Sequence, residues 1–131
     1  MPILLDDFSA QALTRAVEAN FEEFFRSFSC LPSVEVSDTA EMFRFCTGVP
    51  IWIVNGVMRS RLTEVDLEAR IKETMDYFRS RHLPMMWLVS PSTQPADLGH
   101  HLEAHSLTHL GTIPGMAADL QSLPRSCFPL L

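Results

Sequence analysis

Four histidines, His100, His101, His105 and His109, fall within ten residues in the last third of the chain. On a helix His101 and His105, four apart, share one stripe, which is the spacing of a metal-binding pair. A zinc site needs a third ligand and usually a fourth, and Glu103 points about 200° around the helix from His101. Leu98 and Leu102 lie on the same stripe, so the pair reads as partly buried histidines with hydrogen-bond partners, and no metal is expected. Cys46 or Ser90 could act as a nucleophile beside one of these imidazoles, but neither stands in a nucleophile elbow or a Cys-His signature. No catalytic residue is assigned. Arg59 and Arg61 flank Ser60 just ahead of a helical pattern and are candidates for holding an anion through their guanidinium forks. The candidate cleft residues are Asn55, Trp87, Ser90 and His101. Asn55 and Trp87 stand at the ends of two segments that read as parallel strands, where ligands favour the carboxyl edge.

The chain that must position these residues has 131 of them, 47% hydrophobic, enough for one globular domain with its own core. Sixteen acidic against ten basic side chains give a net charge of −6. That balance offers phosphate backbones no general attraction, and no Lys/Arg cluster with interleaved aromatics offsets it, so a nucleic acid partner is not expected. Cys30, Cys46 and Cys127 form no C-x-x-C pair, and an odd count fits free thiols in a reducing cytoplasm. The opening MPILLDDF lacks a basic leader region, and no apolar run approaches the ~20 residues of a membrane span. Neither secretion nor a membrane partner is expected.

Residues 8–28 carry Leu13, Val17, Phe21, Phe24, Phe25 and Phe28 at helical spacing, an amphipathic helix for which Asp7 and Ser9 are both candidate N-caps and which Pro32 ends. The four phenylalanines read as core. Val34 to Phe45 reads as one or two strands, residues 47–50 as a turn, and the β-branched and aromatic run 51–54 as the next strand. Asn55-Gly56 then allows a tight turn, a bulge or a strand continuing to residue 58. A second helix is predicted from Thr63, with Leu67, Ile71, Thr74, Met75 and Phe78 on one face and Pro84 beyond its end. Residues 85–89 follow as a strand, so 51–89 forms a β-α-β unit whose strands are parallel. Residues 97–105 read as a short helix, 107–118 as a strand or strand pair, and the tail from Pro124 as frayed or docked irregularly. One domain over 1–123 with a tail at 124–131 is expected.

This order of elements resembles the GNAT family of N-acetyltransferases. The likeness covers about residues 42–120 and rests on Thr47-Gly48-Val49-Pro50 through Asn55-Gly56-Val57, on Trp87, Pro91 and Pro95, on Leu98 and Leu102, and on Gly115, Met116, Ala117, Asp119 and Leu120. It implies an α+β fold, a mixed and mostly antiparallel sheet with a central parallel strand pair and flanking helices.

The resemblance also implies where acetyl-CoA would sit: in the splay between the parallel strands, its pyrophosphate on a glycine-rich loop at the start of the following helix. Such a loop needs amides aimed at the phosphates and a helix dipole that favours negative charge. The matching stretch here, Met58 to Asp66, has no glycine and ends in Glu64 and Asp66, so only Arg59 and Arg61 remain for an anion. The family's general acid is a tyrosine on the helix here read at 97–105. Leu102 falls at or near that position, while Tyr77, the single tyrosine, lies on the preceding helix. The expectation is therefore a degenerate acetyltransferase-like domain with no cofactor of its own. It would act as a supporting lobe beside a second such lobe, or as a binding or homodimerising module that could accept a small molecule. The alternative is an acetyl-CoA-dependent N-acetyltransferase with an atypical cofactor site.

Overall fold

A computed structural model describes residues 7–117 of the chain. Helix α1 (Ala10–Arg26) starts on a double cap: Ser9 Oγ accepts from the Ala12 amide at 3.2 Å, and Asp7 Oδ1 accepts from the Ser9 amide at 2.8 Å. Both candidate caps thus take part. The helix passes into a 3-10 turn, Ser27–Cys30, ahead of Pro32. Its inner stripe of Phe21, Phe25 and Phe28 packs on the sheet, and the Phe25 ring stacks on Phe45 at 4.3 Å between centroids. Phe24 departs from its predicted core role: it is exposed and meets Phe25 and Phe28 edge-on from outside.

The fold is α+β, with a four-stranded mixed sheet in the order β1 (Glu35–Asp38), β2 (Met42–Cys46), β3 (Asn55–Ser60), β4 (Met86–Trp87). Strands β1, β2 and β3 are antiparallel, and β3 pairs parallel with β4 across helix α2 (Leu67–Ser80). Alternation along the strands separates two cores. Phe43, Phe45 and Met58 face α1, whereas Met42 and Val57 join Leu62, Leu67 and Ile71, with Leu98 and Leu102 of α3 (Leu98–Ala104), on the other face.

Several boundaries differ from the sequence reading. Residues 51–54 are not the strand: Trp52–Val54 form a 3-10 turn with Ile51, Trp52 and Ile53 exposed, and the strand is Asn55–Ser60. The buried Asn55 side chain sets this frame by donating from Nδ2 to the carbonyls of Val49 and Ile51 at 2.7 and 3.0 Å and accepting from the Thr47 amide at 3.0 Å. Gly56 allows β4 to approach, since a Cβ there would stand 1.9 Å from the Met86 carbonyl oxygen. Helix α2 starts at Leu67 rather than Thr63, because residues 63–66 close a turn through the Asp66 amide and the Thr63 carbonyl at 3.2 Å. Strand β4 shrinks from the predicted 85–89 to two residues. Residues 107–117 have no regular structure where a strand was expected, and the parallel pair forms one end of the sheet among the described residues. Residue 118, the boundary at 123 and the tail at 124–131, with Cys127, lie outside the described residues.

The sheet contains one irregularity that matters for the site. Phe43 pairs with Arg59 and Arg44 with Val57, so Met58 is an extra residue on β3. Strict alternation would aim Arg59 at α2, opposite Met58. The bulge instead leaves Met58 and Arg59 both on the α1 face, and Ser60 returns to the other face opposite Met42.

Candidate functional site

Beyond Trp87 the chain leaves β3 and comes back. The Leu88 amide still donates to the Val57 carbonyl at 2.8 Å, and contact resumes where the Gln94 amide donates to Ser60 O at 3.0 Å and Leu62 N donates to Gln94 O at 2.8 Å. The loop between is closed on itself by Ser90 N to Thr93 Oγ1 at 2.8 Å and by Thr93 N to Ser90 O at 3.0 Å. The parallel pair therefore splays at its carboxyl ends, where open α/β sheets favour ligands. A cavity of about 130 Å³ lies in the splay under α1, lined by Glu18, Phe21 and Glu22 of the helix, by Met58, Arg59 and Arg61, and by Leu88, Ser90 and Ser92. A shallower groove of about 580 Å³ shares Glu22, Arg59 and Arg61 and continues over Asp38 to Ala40.

The charges around it are unevenly paired. Arg59 is held from three sides: Nη1 donates to Glu22 Oε1 at 2.9 Å, and Nη2 donates to Asp38 Oδ1 at 2.7 Å and to the Thr39 carbonyl. Arg26 joins this network through Asp38 Oδ2 at 2.7 Å and Glu23. The hydrogen bond from Arg59 holds the Asp38 carboxyl below its ordinary value, with Arg26 assisting. Glu18 takes the Ser92 hydroxyl on one oxygen, and its Oε1 is buried with no hydrogen-bond partner among the described residues. Arg61 is exposed at the rim, its backbone tied to Glu41 O at 2.7 Å.

Of the residues singled out from sequence, the structure brings Arg59, Arg61 and Ser90 together around this cavity. Asn55 stands at the amino end of β3 because the strand begins there, and its side chain is engaged by its own loop. Trp87 turns to the opposite face, its indole N–H on Ser60 Oγ at 3.2 Å against the α2 side core. His101 and His105 converge on Glu68 of α2: Glu68 Oε1 lies 3.3 Å from His101 Nδ1, Oε2 contacts His105 Nε2, and Asp97 Oδ2 is 3.3 Å from His101 Nε2. These histidines clamp α3 to α2, and among the described residues no group of three or more His, Cys, Asp or Glu side chains could hold a metal ion. Tyr77 is sandwiched between the guanidinium carbons of Arg44 at 3.8 Å and Arg81 at 3.6 Å, with its hydroxyl on Glu35. Burial pushes its phenol pKa up, and it faces away from the splay.

Glu18, Phe21, Glu22 and Ser92 are cavity residues that the sequence reading missed. A signal for Glu18 exists: Glu18, Phe21 and Phe25 stand at i, i+3 and i+7, so one charge sits on the apolar stripe. Ser90 Oγ contacts only the hydroxyls of Ser92 and Thr93 among its described partners, at 3.4 and 3.3 Å, and neither is a base. Comparison with protein-family models, curated proteins and solved structures gives no match. Among the described residues no helix is long and apolar enough to cross a membrane.

Proposed function

We propose that the chain is a degenerate GNAT-like lobe that does not hold acetyl-CoA and serves as a supporting or binding module. One observation carries this reading: Arg59, one of the two arginines ahead of α2, already has its donors on Glu22, Asp38 and Thr39. Phosphate would have to displace two carboxylates from it. The local sequence argues the same way, because the approach to α2 runs through Glu64 and Asp66, with Glu68 in its first turn. Acids at a helix N-terminus complement the dipole in place of an anion. The small volume of the splay supports the reading further, since Phe21, Met58 and Leu88 wall it where a long thioester arm would pass. A supporting module also needs a face for its neighbour. The loop held by Asn55 leaves Val49, Ile51, Trp52 and Ile53 exposed, apolar side chains available to a second lobe or a second copy.

Isothermal calorimetry with acetyl-CoA and an amine tests the proposal. The expected result is no saturable heat and no release of CoA; stoichiometric binding with turnover would overturn it.

A further inference from the structure

The two outer strands of the sheet are finished differently. Strand β1 carries Glu35, paired with Arg81, and Asp38, paired with Arg26 and Arg59. Charges of this kind keep an edge from adding another strand. Strand β4 has no such guard. Its pairing of Gly56 with Met86 and the bond from Leu88 N to Val57 O at 2.8 Å turn Met86 and Leu88 toward β3. Alternation then aims the N–H and C=O of Trp87 outward. Among the described residues no hydrogen bond reaches them, nor the main chain of Met85 or Val89 on either side. The turn Trp52–Val54, which precedes β3, lies within 8 Å of β4 between Cα atoms, at its amino end. Residues 47–58 and 83–96, which hold this turn and β4, contain no Asp, Glu, Lys or Arg in a chain that is 20% charged. Ile51, Trp52, Ile53 and Val89 are each about half exposed.

Unpaired main-chain groups on an uncharged edge are a template for a further strand. A partner chosen by opposite charge would find none in these stretches to recognise. Two copies of this chain, each at −6, repel one another least where charge is missing, so the edge suits its own kind. We propose that the chain forms a two-fold symmetric dimer in which the β4 edges of two copies pair antiparallel, each Trp87 exchanging both main-chain hydrogen bonds with the partner's Trp87. The symmetry sets the flanking contacts: Trp52, at the amino end of β4, comes toward the partner's Val89 at the carboxyl end, and the same contact recurs across the axis. The inference rests on the reading of the chain as a binding module and names the module's partner.

The test is sedimentation velocity on the full chain from micromolar to millimolar concentration, with amide hydrogen exchange at Trp87 and Val89 on the same samples. A monomer–dimer equilibrium is expected, with exchange at Trp87 slowing as the dimer fills. Val89→Glu, a change at an exposed position, should weaken the dimer at least about tenfold, or 1.4 kcal/mol, by placing a carboxylate against the apolar Trp52. The exchange measurement on the unmodified chain reads the edge even if the variant fails to fold. A monomer at every concentration would overturn the proposal. So would a dimer that leaves exchange at Trp87 unchanged, or protection there that is independent of concentration, which would mean that residues 118–131 of the same chain cover the edge. A monomer that binds no acetyl-CoA would sink the dimer alone, and a dimer that binds acetyl-CoA would sink only the reading of a lobe without cofactor.

Discussion

Arg59 and Glu22 stand 37 residues apart in sequence and meet with Nη1 2.9 Å from Oε1 across the face of the sheet. The meeting depends on the bulge at Met58, without which the guanidinium would point toward α2. Arg59→Ala would leave the mostly buried Glu22 without this partner and Asp38 with Arg26 alone. The expected loss is about 1–3 kcal/mol of unfolding free energy, read by urea titration at neutral pH. An unchanged midpoint would show the network to be ornamental to stability.

The same network has a pH signature. Arg59 holds the Asp38 carboxyl below its ordinary 3.8, so the folded state binds the proton less readily than the unfolded state. Its contribution is complete above 3.8 and is lost as pH falls through the lowered folded value. Asp38→Asn should remove that part of the acid limb in a pH series of thermal melts. A steeper acid limb in the variant would contradict the assignment.

Glu68 behaves in the same sense on the opposite face. The hydrogen bond from His105, with His101 assisting, holds its carboxyl below the ordinary 4.5. The clamp of α3 on α2 is therefore expected to weaken as pH drops below 4.5, and Glu68→Gln should make the amide protection of α3 less dependent on pH there. Hydrogen exchange at residues 98–104 measures it. Equal acid sensitivity in the variant would reject the clamp.

Gly56 is a position where an added methyl meets backbone. At φ +158 its Cβ would fall 1.9 Å from Met86 O, so Gly56→Ala must separate β3 from β4. A cost of about 3 kcal/mol or more is expected from thermal unfolding, with loss of protection at Leu88, whose amide bonds to Val57. A variant melting near the parent would mean that the parallel pair does not form as described.

Asn55→Ala leaves two carbonyls and the Thr47 amide without their buried partner. The expected cost is about 2–4 kcal/mol, accompanied by faster proteolysis in residues 47–54. Stability unchanged in the variant would show that the loop is held by other contacts.

Much of this architecture is legible in the sequence. The phenylalanine spacing of α1, the apolar face of α2 from Leu67 to Phe78, the Leu98 and Leu102 pair and the parallel crossover all follow from periodicity. Boundaries fail where a tertiary contact decides them. Ile51-Trp52-Ile53-Val54 has strong strand propensity, yet the Asn55 side chain bonds two of its neighbours' carbonyls and turns the run into a 3-10 turn. Thr63 looks like a helix start because its spacing to Asp66 imitates a capping box, but those residues bond each other in a turn instead. The candidate site was half visible. Arg59, Arg61 and Ser90 carry readable chemistry, while the bulge that aims Arg59 and the fold of loop 89–93 against Glu18 are long-range events with no local sequence mark.

Whether the approach to α2 accepts a cofactor phosphate is read by titrating the isotopically labelled chain with acetyl-CoA and following the backbone amide resonances of residues 59–68. These amides are expected to stay in place at cofactor excess, because Arg59 remains on Glu22 and Asp38 and the acids at 64, 66 and 68 repel the pyrophosphate. Saturable, stoichiometric shifts confined to those amides would contradict that expectation.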